Sequence, residues 1–239
     1  MISPSNNAPI ITSTYYNPAY YSKHLERLEK KDRFTKVKIK RVTSLLRPAA
    51  GERVVDLGCG VGTMMILLAP SGATIIGVDY SPDSLSLART CFAREEPTRS
   101  FKGVCCDGRA LALQSGSVDG VMAVDFTEHV DDDLLVPTAR EVHRILKSGG
   151  RFIVYTPSRT HLFERLKKHN IILREDKSHV GLRTMGQYRE ILERSGFTMQ
   201  ESYFESTHIP LFSILEKAVM NIPIIGDLAK RRICIRAAK

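Results

Sequence analysis

The chain has 239 residues, of which 43% are hydrophobic and 26% charged, the composition of a folded protein long enough to bury a sizeable core. Its sixteen glycines and eleven prolines have no period and no unit of roughly 20–50 residues repeats, which excludes collagen-like, low-complexity and solenoid readings. Lysine and arginine outnumber aspartate and glutamate 35 to 26, an excess compatible with nucleic acid, an anionic membrane surface or an anionic small substrate.

The first 21 residues read as an arm with a tyrosine cluster (Tyr15, Tyr16, Tyr20, Tyr21). It lacks the basic start and apolar core of a signal peptide, and no stretch of about 18 uncharged apolar residues follows, so a cytoplasmic protein is expected. Ser22–Leu46 reads as one helix with Leu25, Leu28, Val37, Val42 and Leu45 among many cations, closed by Arg47-Pro48. Residues 1–50 carry ten Lys/Arg and three Asp/Glu, residues 51–157 ten and fourteen, and residues 158–239 fifteen and nine. An acidic centre between basic flanks argues against one continuous basic groove.

From Glu52 the pattern changes. Arg53–Leu57, Thr74–Val78, Gly103–Cys106, Val118–Val124 and Arg151–Tyr155 read as strands, with helices starting near Gly62, Ser81 and Asp132. Strands that are near-continuous apolar runs, alternating with helices, predict a parallel sheet covered on both faces. Ser81-Pro82-Asp83 supplies an N-cap, a first-turn proline and a first-turn acid.

Beyond Pro157 comes a basic, histidine-containing segment to Arg183, then a helix Thr184–Arg194 that stops at Ser195-Gly196. Phe197–Ser206 and Ile233–Ala238 read as a closing strand hairpin around an apolar insert, residues 209–228, followed by Lys230, Arg231 and Arg232. Three readings of the insert stay open: a lid over a substrate, a membrane-surface patch, or ordinary packing.

Five cysteines without a C-x-x-C pair predict reduced thiols. The vicinal Cys105-Cys106 could form a dithiol, but neighbours on a strand point to opposite faces, so plain core cysteines are expected.

Four stretches carry chemistry. In Val54–Gly62 (VVDLGCGVG) a strand ends, Gly58, Gly60 and Gly62 let the backbone turn and approach a ligand, and a helix begins. An acid two residues before the first glycine, and a third glycine one position early, depart from the dinucleotide fingerprint. The others are Ile76–Ser81 (IGVDYS), Cys105–Arg109 (CCDGR), and Ser117–Val121 leading into Asp125-Phe126-Thr127-Glu128-His129-Val130.

On these motifs, over roughly residues 40–200, the chain resembles the class I S-adenosylmethionine-dependent methyltransferases, in the type 11 branch that acts on small molecules. The resemblance implies a doubly wound, mainly parallel seven-stranded α/β sheet of Rossmann-like type whose last strand is antiparallel. It divides the chain into an N-terminal arm and helix (1–47) and a donor-binding domain (48–239), with substrate-side insertions at 157–183 and 207–229. The implied cofactor is S-adenosylmethionine, leaving as S-adenosylhomocysteine.

Asp56 would face the methionine amino group or organise the loop, and Gly58, Cys59, Gly60 and Gly62 would admit the methionine portion. Asp79 would accept the ribose hydroxyls, Tyr80 would flank the adenine, and Asp107 with Gly108 would meet the adenine amino group. Asp125 ends the fourth strand at the same edge, and Tyr20 would fold over the sulfonium from the arm. Asp83 is read as a cap or surface charge.

Methyl transfer to a hydroxyl requires a base beside the methyl group. His129 and His179 are the catalytic candidates, ahead of His161 and His169. Asp125-x-x-Glu128-His129 also resembles the E-x-x-E-H metal motif of ubiquinone-pathway O-methyltransferases, which makes Asp125, Glu128 and His129 weak metal candidates in a chain otherwise expected to hold no metal.

The expected activity is methyl transfer to an oxygen, less readily a nitrogen or carbon, of a small or lipid-like acceptor, with peripheral membrane contact left open. A nucleic-acid methyltransferase is disfavoured because no N/D-P-P-Y/F tetrapeptide follows the fourth strand. A dehydrogenase is disfavoured by the glycine spacing and the absence of any Tyr-x-x-x-Lys. A non-catalytic donor-binding protein is the remaining alternative.

Overall fold

The computed structural model describes residues 32–168, 178–207, 209–223 and 225–239, together with Glu26 and Lys30. The tyrosine cluster with Tyr20, His169 and Ile224 lie outside the described residues.

The first helix described from end to end, α1, runs Arg33–Leu46 and is capped by Asp32, whose carboxylate accepts from the Thr35 amide at 2.7 Å. The single helix expected from Ser22 is therefore broken at Asp32, because a capping aspartate holds its own backbone out of helical geometry. Glu26 and Lys30, both helical, pair across one turn before the break.

β1 (Arg53–Leu57) leads into α2 (Thr63–Leu68), β2 (Thr74–Asp79) into α3 (Pro82–Glu95), and β3 (Gly103–Cys105) into β4 (Val118–Val124). Then follow α4 (Asp132–Ile145), β5 (Leu146–Pro157), α5 (Leu162–Lys168), α6 (Met185–Arg194), β6 (Thr198–Glu205), α7 (Pro210–Val219) and β7 (Arg232–Ala238). Ser81 caps α3 through the Ser84 amide, and Thr184 with Gln187 forms a capping box on α6. β5 is longer than its apolar run, starting at Leu146 opposite Val118 across a bulge.

The seven strands form one sheet in the order β3-β2-β1-β4-β5-β7-β6. β1 to β5 pair in parallel, and β7 is antiparallel to both β5 and β6. This is the doubly wound, seven-stranded arrangement expected, with the last strand reversed.

Alternation along β1 explains why both faces are covered. Val55 and Leu57 pack with Ala139 and Val142 of α4 and Tyr188 and Leu192 of α6. Val54 packs on the other side with Val42, Leu45 and Met65 of α1 and α2. Arg151 and Arg236 reach across the sheet to the carbonyls of Leu46 and Leu45, holding the C-terminal end of α1 against the strands.

The cysteine expectation holds only in part. Cys59, Cys91 and Cys234 are buried, but Cys105 is exposed and Cys106 half-buried, because β3 is the sheet's edge strand and its end has little packed over it. All five thiols are free.

Candidate active site

A cavity of about 250 Å³ opens at the carboxyl ends of β1, β2 and β4, where the strand order reverses. Asp56, Gly58, Cys59, Gly60, Asp79, Tyr80, Asp107, Gly108, Asp125 and His129 all line it. The chain thus brings together acids that lie up to 69 residues apart in sequence.

The glycine turn is pinned from β2, since the Gly58 and Cys59 amides donate to the Val78 carbonyl at 2.8 and 3.1 Å. Gly58 has φ +72° and a Cβ there would come within 2.3 Å of the Phe126 ring, so both backbone and space demand glycine. Gly62, at φ +77°, is the left-handed residue from which α2 departs.

Asp56 is buried at 2% exposure, and its Oδ2 has no hydrogen-bond partner among the described residues. Burial, with Asp79 nearby, pushes its pKa up to about 7, although Lys38 works in the opposite direction. A buried carboxylate oxygen on a cavity wall, without a donor among the described residues, has the chemistry to accept a cationic group.

Asp79 is differently placed: Oδ2 accepts from the Gly60 amide and Oδ1 from the Ser81 amide, each at 2.9 Å. Burial raises its pKa and these amide bonds restrain the rise. The carboxylate is thereby fixed across the mouth of the glycine turn, with a second lone pair on each oxygen to accept a ligand hydroxyl.

Asp107 is half-buried and held bidentately by Arg109, with contacts of 3.0 and 2.7 Å that keep its pKa below the usual carboxylate range. Tyr80 is 44% exposed at the cavity edge. Cys59 is buried with its thiol pKa raised by that burial, and it contributes backbone rather than side chain to the turn. At Gly108 a Cβ would come within 2.9 Å of the Thr138 hydroxyl.

Asp125 lies apart from Glu128 and His129. Its backbone is left-handed (φ +52°), and its carboxylate bridges Lys38 of α1, at 2.9 Å, and Arg232 of β7. Burial opposes its charge, but Arg232 and Lys38 outweigh burial and hold its pKa well below the carboxylate range. Phe34 lies under both cations, with Lys38 at 5.0 Å and Arg232 at 5.4 Å from the ring centre.

His129 ends the short 3-10 turn Thr127–His129. Its Nδ1 lies 3.2 Å from the Ser178 carbonyl, which only accepts, so Nδ1 carries the proton of the neutral ring and Nε2 is its acceptor. The His179 ring stands edge-on to His129 with centres 5.0 Å apart, and its Nδ1 lies 3.8 Å from Glu164 of α5. His179 and Lys167 hold the half-buried Glu164 down at a pKa of about 2 against the pull of burial. Glu128, His129 and His179 present ligand atoms within 4.8 Å of one another.

His161 is buried elsewhere, against Glu216 of α7. Asp83 is exposed in the first turn of α3.

Lys38, Arg232, Arg183 and Tyr188 escape a reading of the sequence. The Arg183 guanidinium bonds the carbonyls of Thr127, Gly181 and Val130 and the Asp132 carboxylate, while the Tyr188 hydroxyl meets Thr127 at 2.7 Å. Together with a Thr156 hydroxyl bond to Glu128, they fix the loop that carries His129. No local signal marks them, because each acts on a distant segment.

A methyltransferase-domain family model of type 11 matches residues 55–154. The chain is 29% identical over 169 residues to 24-methylenesterol C-methyltransferase 2 of Oryza sativa subsp. japonica, covering 68% of this chain and 46% of that protein. It is 34% identical over 113 residues to ubiquinone biosynthesis O-methyltransferase of Xanthomonas oryzae pv. oryzae, covering 46% of this chain and 45% of that protein. The match thus spans less than half the length of both relatives.

Among solved structures, a SAM-dependent methyltransferase from Archaeoglobus fulgidus superposes with a TM-score of 0.66 at 20% identity, over 92% of this chain and all of the other. With the motif residues gathered on one cavity of the seven-stranded sheet, the chain carries a type 11 methyltransferase domain over residues 55–154 and shares its fold with S-adenosylmethionine-dependent methyltransferases.

Proposed function

We propose that this protein transfers a methyl group from S-adenosylmethionine to an oxygen of a small, lipid-like acceptor. The observation that carries the reading is the pairing, on one cavity wall, of an Asp56 oxygen partnerless among the described residues with an imidazole whose acceptor nitrogen is Nε2.

The residues present fit the donor. Asp56 offers a carboxylate to its ammonium, Asp79 offers two oriented oxygens to its ribose hydroxyls, and Gly58 keeps the backbone open. Tyr80 and the Asp107–Gly108 turn stand at the adenine end. When bound, S-adenosylmethionine supplies an activated methyl group on a sulfonium.

His129 would take the acceptor's hydroxyl proton on Nε2, leaving the acceptor oxygen able to receive the methyl group that the bound donor would supply. Arg183, Tyr188 and Thr156 hold the His129 loop still, which matters because an in-line displacement is sensitive to alignment. Phe126, Val130 and Leu134 give the acceptor's side of the cavity an apolar wall suited to a hydrophobic molecule. The relatives' names, a sterol C-methyltransferase and a ubiquinone-pathway O-methyltransferase, support a lipid-like acceptor and leave carbon as the rival atom.

A cation-assisted version of the same reaction is favoured by one observation, the convergence of Glu128, His129 and His179. Two imidazoles and a carboxylate suit a divalent transition metal, which would lower the pKa of an acceptor hydroxyl. Asp125 is not part of this set, because Lys38 and Arg232 occupy it.

The deciding experiment is incubation with methyl-labelled S-adenosylmethionine and pools of phenolic, quinol and sterol acceptors, with and without chelator. Label in a hydroxyl-bearing acceptor that becomes a methyl ether supports the reading, and loss of activity in chelator supports the cation. Label recovered only on carbon removes the oxygen assignment.

A further inference from the structure

α7 is turned inside out for a helix facing water. Its polar side faces the protein: Ser213 meets the Ser206 hydroxyl at 2.9 Å, and Glu216 accepts from the Thr207 amide and lies 3.2 Å from His161 Nε2. Its apolar side faces outward, with Leu211 79%, Ile214 69%, Leu215 61% and Phe212 53% exposed. Ile222 and Ile225 extend the patch after the helix, and Leu162, adjacent to His161, is also exposed. Ordinary packing is thereby set aside. None of these side chains lines the cavity, which argues against a closed lid.

Among the described residues, the unpaired charges around the patch are cations. The helix's single carboxylate, Glu216, has only 12% of its side chain exposed, while Lys217 is exposed and forms no ion pair among the described residues. Arg165, exposed on α5 beside Leu162, likewise has none among the described residues. The exposed acid of the connection, Asp227, is paired with Lys230 at 2.6 Å. An outward apolar stripe with unneutralised cations and, among the described residues, no unpaired carboxylate is complementary to anionic lipid. No helix among the described residues is long and apolar enough to cross a membrane, so the contact is peripheral.

We propose that α7, extended by Ile222, Ile225 and Leu162, seats the protein on an anionic lipid surface. The inference rests on the lipid-like acceptor and supplies its source: a molecule resident in that surface. α7 is coupled to the site through His161, the residue just before α5, and α5 carries the Glu164 that faces His179.

The test is flotation of the full chain with vesicles of phosphatidylcholine alone or with about 30% phosphatidylglycerol. Binding to the anionic vesicles is expected to exceed binding to neutral ones by about tenfold or more, and to weaken with salt. The double substitution Leu211→Glu/Leu215→Glu should lower it by about tenfold or more, with S-adenosylhomocysteine affinity unchanged. Because the chain contains no tryptophan, Phe212→Trp provides a single fluorophore whose emission should shift to the blue on anionic vesicles.

Absence of binding together with an unshifted emission overturns the proposal. So does a dimer in sedimentation equilibrium that the double substitution dissociates without any vesicle binding, which would make the patch a contact between copies. Donor affinity is read separately by calorimetry, so a failed membrane contact and a failed methyltransferase reading give different results.

Discussion

Lys38 of α1 donates to Asp125 at the end of β4 at 2.9 Å, across 87 residues of sequence. With Arg232 on the same carboxylate, three separate elements meet at one ionic junction on the cavity wall. Removing Asp125 would leave two poorly solvated cations facing each other. Asp125→Ala is expected to lower unfolding stability by about 2–4 kcal/mol, and Asp125→Asn by less, since asparagine tolerates the left-handed backbone and still accepts. Because the folded pKa is depressed, the stabilisation is complete above the unfolded aspartate pKa of about 4 and fades as pH falls below it. Urea denaturation of both variants between neutral and acid pH checks the order and the trend.

Asp56 predicts the opposite behaviour. Its folded pKa of about 7 means the free protein prefers it protonated at lower pH, whereas an ammonium ligand prefers it ionised. S-adenosylhomocysteine affinity should therefore weaken as pH falls through about 7, and Asp56→Asn should flatten that dependence. In the unliganded protein the raised pKa makes this group progressively destabilising as pH rises from about 4 to about 7. The asparagine variant should thus melt higher than the parent at pH about 8 while binding less well. Calorimetric titration and thermal melts across this range test both halves, and a pH-independent affinity in the parent protein would remove Asp56 from the ammonium role.

Asp79→Ala should weaken S-adenosylhomocysteine binding by about 1–3 kcal/mol, the scale of lost charge-assisted hydrogen bonds. It also frees the Gly60 and Ser81 amides, so Asp79→Asn, which keeps one acceptor oxygen, should bind with intermediate affinity. Equal affinity for parent and alanine proteins would deny Asp79 a part in holding the ribose.

For His129 the informative quantity is the split between turnover and binding. His129→Ala should reduce kcat by about 10²–10⁴-fold if the ring is the base, with calorimetric donor affinity intact. Arg183→Ala should move kcat in the same direction by freeing the loop, but accompanied by lost stability of about 2–3 kcal/mol from its carbonyl bonds. A kcat that survives His129→Ala would transfer attention to His179 or to acceptors needing no base.

Much of the fold was legible because a buried parallel strand must be apolar nearly throughout and a helix must stop where Pro, Gly or a cap intervenes. The lining of the cavity was legible for a related reason: a backbone that turns sharply needs glycine, and an acid at a strand's end is carried to the sheet edge, so Asp56, Gly58, Asp79 and Asp107 are local signals of a shared cavity. The helix break at Asp32 was not foreseen, since Asp in a run of cations looks like a surface charge until its capping bond is seen. Cys105 misled for want of knowledge that β3 is an edge.

What the sequence by itself determined, then, was the order of the strands and of the helices other than α5 and α7, the glycine turn and the acids that follow the strands, all consequences of backbone geometry within a few residues. Tertiary structure alone decided that Asp125 belongs to Lys38 and Arg232 and not to Glu128 and His129, that His179 comes to stand against His129, and that α7 presents its apolar side outward. Each of these is a pairing between segments far apart in the chain, set by how elements pack across the sheet, and charge or hydropathy at one position carries no address for its distant partner.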